Sequence, residues 1–225
     1  LQFQMELLMC IWNCNHNAGR SDLYFYAEIY RKWNDQWCSE RITEGVQMFS
    51  VDGNKLIFKY DAEQMWIEPW GENALRIRST KESTMPQNDW ALLERAQNKN
   101  VKINISENQS MIQNGKIKAI ISSLGKIKIF NSEEKLLMEE YSRNRKDLHD
   151  PKCSAILVEA RDFEPIIGGD YHLTMRWESV STNEKLYGMG QYQQPYLDLK
   201  GLDLELAHRN SQSSVPFMLS SLGYG

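Results

Sequence analysis

Residues 101–130 read VKINISENQSMIQNGKIKAIISSLGKIKIF, and their period decides the fold. Apolar and polar residues alternate through Val101–Ile105, Ser110–Gln113, Lys116–Ser122 and Lys126–Phe130. At that spacing successive side chains fall on opposite faces of a strand. Asn114-Gly115 and Leu124-Gly125 interrupt the alternation at hairpin spacing, so the four segments read as an antiparallel ladder.

The pattern continues in both directions. Upstream, Lys55–Tyr60 and Gln64–Glu68 alternate around an Asp61-Ala62-Glu63 turn, and Ala74–Arg78 alternates again after Trp70-Gly71-Glu72-Asn73. Downstream, Lys135–Tyr141, Ala155–Glu159 and Tyr171–Trp177 extend it, while residues 142–152 read as a solvated connection. Many short strands with regular turns and little helix predict an all-β fold, a β-sandwich. Only Asp89–Asn98 has helical composition, with Asp89 as its N-cap, and it could equally be a loop.

Residues 1–47 differ in kind. Leu7, Leu8, Ile11 and Trp12, then Leu23, Tyr24, Tyr26, Ile29 and Trp33, admit short amphipathic helices, but no clean repeat runs through them. Met48 looks like a more natural beginning, so two parts are expected: an extension of doubtful origin over 1–47 and a sandwich domain over 48–225.

Composition narrows the function. The chain has 225 residues, 41% hydrophobic and 25% charged, enough for one large domain or two small ones. Its formal net charge of −4 argues against sequence-independent nucleic-acid binding, which needs a basic surface to neutralise phosphates. No stretch reaches the roughly 18 to 20 apolar residues of a membrane span, and apolar Met5–Trp12 lacks the flanks of a signal peptide. Of the cysteines, Cys10, Cys14 and Cys38 cluster early and Cys153 stands alone, which gives no even disulfide framework. Cys10, Cys14 and His16 lack a second metal-binding half, so no metal is expected. A reduced, cytoplasmic setting is the simplest reading.

The densest unusual stretch lies between Leu186 and Gly225. Gly188 and Gly190 flank Met189 and permit backbone conformations closed to residues with a Cβ. The third glycine of a dinucleotide fingerprint is missing, so no nucleotide cofactor is expected. Gln191, Gln193, Gln194, Asn210 and Gln212 offer paired hydrogen-bond donors and acceptors, and Tyr192 and Tyr196 offer flat apolar faces. That mixture suits sugars. It suits equally a polar loop with buried tyrosines, and the residues alone leave both open.

Several ordered blocks tip the balance. Tyr187-Gly-Met-Gly-Gln191, Leu197-Asp-Leu-Lys-Gly201, Arg209-Asn210, Val215-Pro-Phe217 and Ser220-Ser-Leu-Gly-Tyr-Gly225 resemble the N-terminal domain signature of glycoside hydrolase family 31. Trp66-Ile-Glu-Pro-Trp-Gly71 with Ala74-Leu-Arg-Ile-Arg78 resembles the family's opening strands, so the resemblance covers residues 48–225. It implies a galactose-mutarotase-like β-sandwich preceding a (β/α)8 barrel. In the family, that barrel carries the Asp nucleophile and Asp acid/base that hydrolyse α-linked glucosides or xylosides with retention. Such chemistry needs two carboxyl groups about 5 Å apart across the anomeric carbon.

Asp198 and Asp203, five residues apart in the signature region, have no reason to face one anomeric carbon. No catalytic residue is therefore assigned here, and the chain alone is expected to be inactive. The expected partners are an α-linked oligosaccharide or glycoside and the barrel of the same polypeptide. The final Gly-Tyr-Gly falls mid-strand by the family pattern, which reads as a truncation, and the uncovered surface is expected to make 48–225 prone to aggregation. By position, the resemblance assigns the wall of a sugar subsite to Gln191, Tyr192, His208, Arg209 and Asn210. The family's better-known members carry an Arg-Asp pair where this chain reads His-Arg-Asn. The alternative function is a free-standing carbohydrate-binding sandwich without enzymatic activity.

Overall fold

A computed structural model describes residues 48–87, 98–147, 150–152 and 154–225. The 1–47 extension, all four cysteines and the helical stretch predicted at Asp89–Asn98, apart from Asn98, lie outside them.

Every regular element among the described residues is a strand, and every pairing is antiparallel. One sheet takes β1 (Phe49–Asp52), β2 (Lys55–Tyr60), β3 (Glu63–Trp70) and β4 (Ala74–Thr80) in chain order. A six-stranded sheet runs through β5 (Lys102–Ile105), β6 (Gln109–Asn114), β7 (Ile117–Ser122), β8 (Ile127–Phe130) and β9 (Leu136–Glu140). Its last member, β12 (Trp177–Ser179), pairs with β9. Two hairpins stand outside these sheets: β10 (Arg161–Pro165) with β11 (Tyr171–Met175), and β13 (Leu186–Gln191) with β14 (Ser213–Ser220).

The alternation in sequence becomes a sandwich because both sheets hide one face. Phe49, Leu56, Phe58, Met65 and Ile67 from the first sheet join Ile112, Ala119, Ile121, Ile127, Ile129 and Leu137 from the second in one buried cluster. Fully burying a large apolar side chain is worth about 1.5–3 kcal/mol, so this cluster is the main source of stability.

Polar contacts pin the two sheets at opposite ends of β3. At its Trp70 end, Asn114 Nδ2 donates to the Gly71 and Ala74 carbonyls at 3.1 and 2.7 Å, and the Lys116 amide donates to Asn73 Oδ1 at 2.9 Å. At its Glu63 end, the buried Arg161 guanidinium reaches Glu63 of one sheet, Glu140 of the other and the Gly125 carbonyl.

Three sequence expectations need correction. Ala155–Glu159 is not a strand: Ile156 and Leu157 are exposed, and only Val158 bridges to Arg143, because no neighbouring strand is available to pair with the segment. The 142–152 connection is not wholly solvated, since buried Asp150 accepts from buried Lys126 at 2.6 Å and Arg143 grips Glu178 through two bonds of 3.1 Å. The chain's last residues are not mid-strand either. β14 ends at Ser220, and a turn brings the Tyr224 carbonyl back to accept from the Ser220 amide at 2.7 Å.

Candidate functional site

The resemblance-assigned residues fall at the end of the β13–β14 hairpin where the 192–212 connection joins the two strands, and the glycines of the Gly-Met-Gly run explain how that end is built. β13 and β14 lose register between Gly188 and Gly190, where Met189 alone stands against Val215, Pro216 and Phe217, so the extra residues of the bulge lie on β14. Gly188 and Gly190 sit at φ +99° and +108°, in the left-handed region. A Cβ on Gly190 would lie 2.1 Å from the Ser213 carbonyl oxygen, and one on Gly188 would lie 2.6 Å from that of Phe217. Glycine is therefore required by the close approach of β14, which accounts for the pair without any phosphate.

Beyond the bulge, Gln191 ends β13 opposite Ser213, the first residue of β14. The chain leaves at Tyr192 and returns through His208, Arg209 and Asn210, where Gln212 donates to the Arg209 carbonyl at 3.0 Å to close the turn into β14. Ser214 joins the two sides. Its Oγ lies 3.2 Å from the Tyr192 hydroxyl, and its amide donates to His208 Nδ1 at 3.3 Å. That bond requires Nδ1 to be unprotonated, so a neutral His208 carries its proton on Nε2. Arg209 pairs with Glu205 one helical-turn spacing away, both well exposed. Gln191, His208, Arg209 and Asn210 are all exposed, and Tyr192 is half-buried.

The 192–212 connection is folded back on the hairpin. Asp198 Oδ1 accepts from the Leu186 and Lys200 amides at 3.1 and 3.2 Å, and Leu199 donates to the Leu186 carbonyl at 2.8 Å. Those two amides hold the Asp198 carboxyl below its ordinary value. The carboxylate thus serves the loop's own geometry.

At the opposite end of the hairpin, Glu184 accepts from the hydroxyls of Ser220 and Tyr224. Burial pushes its carboxyl up, but hydrogen bonds from Ser179, Ser220 and Tyr224 and the Lys200 charge outweigh it, leaving a net depression. Tyr224 is itself pushed up to about 12, chiefly by burial and then by its bond to Glu184. Tyr224 and Leu222 also pack on the sandwich core, so this pin ties the hairpin to the main body.

Sequence reasoning missed Ser214 and Glu184. Ser214 belongs to no motif, and Glu184 and Tyr224 are 40 residues apart with no shared pattern. The tryptophans are engaged where the structure describes them. Lys55 Nζ stands 3.7 Å from the Trp66 ring, Arg78 lies 5.2 Å from the same ring and Arg76 5.2 Å from Trp70, while Trp177 packs on the core. Among the described residues, no group of three or more His, Cys, Asp or Glu side chains comes together to hold a metal ion.

Fold and site together define a class: an antiparallel β-sandwich with a bulged hairpin that presents amide, phenol, imidazole and guanidinium groups at its loop end. No family model matches the chain. An uncharacterised family 31 glucosidase of Pseudescherichia vulneris is 41% identical over 180 residues, covering 76% of this chain and 34% of its own length. The chain belongs to glycoside hydrolase family 31. A family 31 α-xylosidase from a soil metagenome, solved with xylose, superposes with a TM-score of 0.73 at 45% identity, over 78% of this chain and 27% of that one. The Xanthomonas citri α-xylosidase shares the fold at 19% identity with a TM-score of 0.62, over 76% of this chain and 18% of its own. A Flavobacterium johnsoniae dextranase does so at 17% identity with a TM-score of 0.55, over 77% of this chain and 21% of its own. The chain thus spans about a third or less of each relative.

Proposed function

We propose that this chain is the N-terminal, subsite-shaping domain of a retaining α-glycosidase acting on α-xylosides or α-glucosides. The observation that carries the reading is the convergence of Gln191, Tyr192 and His208–Asn210 at one hairpin end, with Tyr192 and His208 both joined to Ser214. Exposed amide and guanidinium groups can pair with sugar hydroxyls, and the Tyr192 ring offers an apolar face to sugar C–H groups. The bond-breaking acids belong, on this reading, to a (β/α)8 barrel beyond this sequence, because hydrolysis with retention needs two opposed carboxyl groups. The relatives' greater length and the xylose in the α-xylosidase structure support it.

A second feature supports a partner domain. Val215, Phe217 and Leu219 alternate along β14 and keep 50%, 56% and 47% of their surface in solvent. An apolar stripe of that kind marks a surface that is covered in the functional protein, and the barrel of the same polypeptide is the partner we assign to it.

Calorimetric titration with methyl α-xyloside and maltooligosaccharides tests the sugar-facing role. Weak heat that disappears in the Gln191→Ala/Tyr192→Ala variant is expected. Flat titrations for the unmodified chain would leave it a purely structural interaction domain.

A further inference from the structure

A cleft of about 490 Å³ opens at the Glu63 end of the sandwich and shares no residue with the β13–β14 hairpin. The β2–β3 turn, the β7–β8 turn and the segments around 142–146 and 155–161 converge there. The volume lies within the usual range of small-molecule sites, roughly 300–1,000 Å³.

Its lining has the chemistry of a polyol site. Tyr60, 45% exposed, stacks on Phe58 at 6.4 Å and 18°. Donors come from Lys81, Asn144, Arg145 and Lys146, and acceptors from Asp61 and Glu159. The Arg145 and Lys146 side chains have no ion pair among the described residues. Arg161 lies at the floor. Three of its five N–H donors are directed to Glu63, Glu140 and the Gly125 carbonyl, which leaves two.

Charge selects between ligand classes. Lys81, Lys126, Arg145, Lys146 and Arg161 are set against Asp61, Glu63 and Glu159 in the lining, with Glu140 and Asp150 directly behind it. That balance gives an anion no net attraction. A neutral ligand rich in hydroxyls uses donors and acceptors alike, and its C–H face suits an exposed tyrosine ring. We infer that this cleft is a second saccharide-binding site, for a neutral oligosaccharide, with Tyr60 as its platform and Asn144 and Arg145 as its polar contacts. The inference rests on the sugar-facing reading of the chain but on different residues.

Hydrogen exchange followed by mass spectrometry on the full 225-residue chain tests it, with maltotriose as the probe and inorganic phosphate as the control. Saturating maltotriose is expected to slow exchange about threefold in peptides covering 59–63, 124–126 and 142–146. Tyr60→Ala and Asn144→Ala should each abolish that slowing. Slowing confined to 187–193 and 207–214 would overturn the cleft while leaving the hairpin reading intact, and the reverse pattern would do the opposite. No slowing anywhere would overturn both. Cleft protection that survives both variants, or that phosphate alone reproduces, would also overturn the assignment.

Discussion

The sandwich and the β13–β14 hairpin are both antiparallel sheet, yet they are stabilised by different forces and display different surfaces. The sandwich hides alternate residues of both sheets in one dry cluster, pinned at each end of β3 by buried polar contacts. The hairpin leaves alternate residues of β14 half exposed and is fastened by a handful of polar pins, through Glu184, Asp198 and Ser214. Apolar burial fixes a fold and asks little of individual residues. Polar pins and glycine geometry fix a site, and there each residue matters. On the proposed function, the hairpin is thus the part to be reshaped around a ligand without unfolding the domain.

This contrast ranks the consequences of substitution. Phe58→Ala removes a fully buried ring and is expected to cost about 4 kcal/mol, lowering the melting temperature by about 10 °C in a calorimetric scan. Arg161→Met leaves Glu140 buried without its counter-ion and is expected to cost about 3 kcal/mol in urea unfolding. Replacing Glu140 by Leu as well should recover most of that loss, whereas a double variant as unstable as the single one would show that Arg161 acts by packing alone. Gly190→Ala is expected to cost about 2 kcal/mol, but locally. Amide exchange in 186–191 and 213–220 should accelerate while the melting temperature barely moves. A global loss of stability there would erase the distinction between the two regions.

The smallest effect concerns pH. Glu184 has its folded-state carboxyl held below the ordinary value of 4.5. Its contribution to stability is therefore fully present above 4.5 and is lost as pH falls through the depressed folded value. Glu184→Gln is expected to cost about 1 kcal/mol at neutral pH and to flatten the acid limb of the stability curve below 4.5. An unchanged acid limb would mean that Glu184 is not ionised in the folded protein.

The period-2 ladder made most of the sandwich legible. β2 matches its sequence reading residue for residue, and the strands predicted between Val101 and Tyr141 all form with ends shifted by about one residue. Where burial did not follow hydrophobicity, the reading failed. β10 was missed because its inward residue Arg161 is charged, and it is buried only through carboxylates supplied by Glu63 and Glu140 far away in sequence. Ala155–Glu159 was misread because its apolar residues line the rim of a cleft rather than a core. The Asn114-Gly115 turn was placed one residue early: Asn114 is the last, fully buried residue of β6, and Gly115-Lys116 makes the turn. Family resemblance selected the candidate residues, and the structure brings them to one hairpin end. Ser214, which joins two of them, announces itself by no motif.

We propose that this chain shapes a sugar pocket and that its described residues hold no pair of opposed carboxylates able to break a glycosidic bond. The most direct test is steady-state assay of the purified 225-residue chain on p-nitrophenyl α-xyloside and p-nitrophenyl α-glucoside. Release of p-nitrophenol at the buffer rate on both substrates is the expected result. Turnover above that rate, surviving repurification, would contradict the claim.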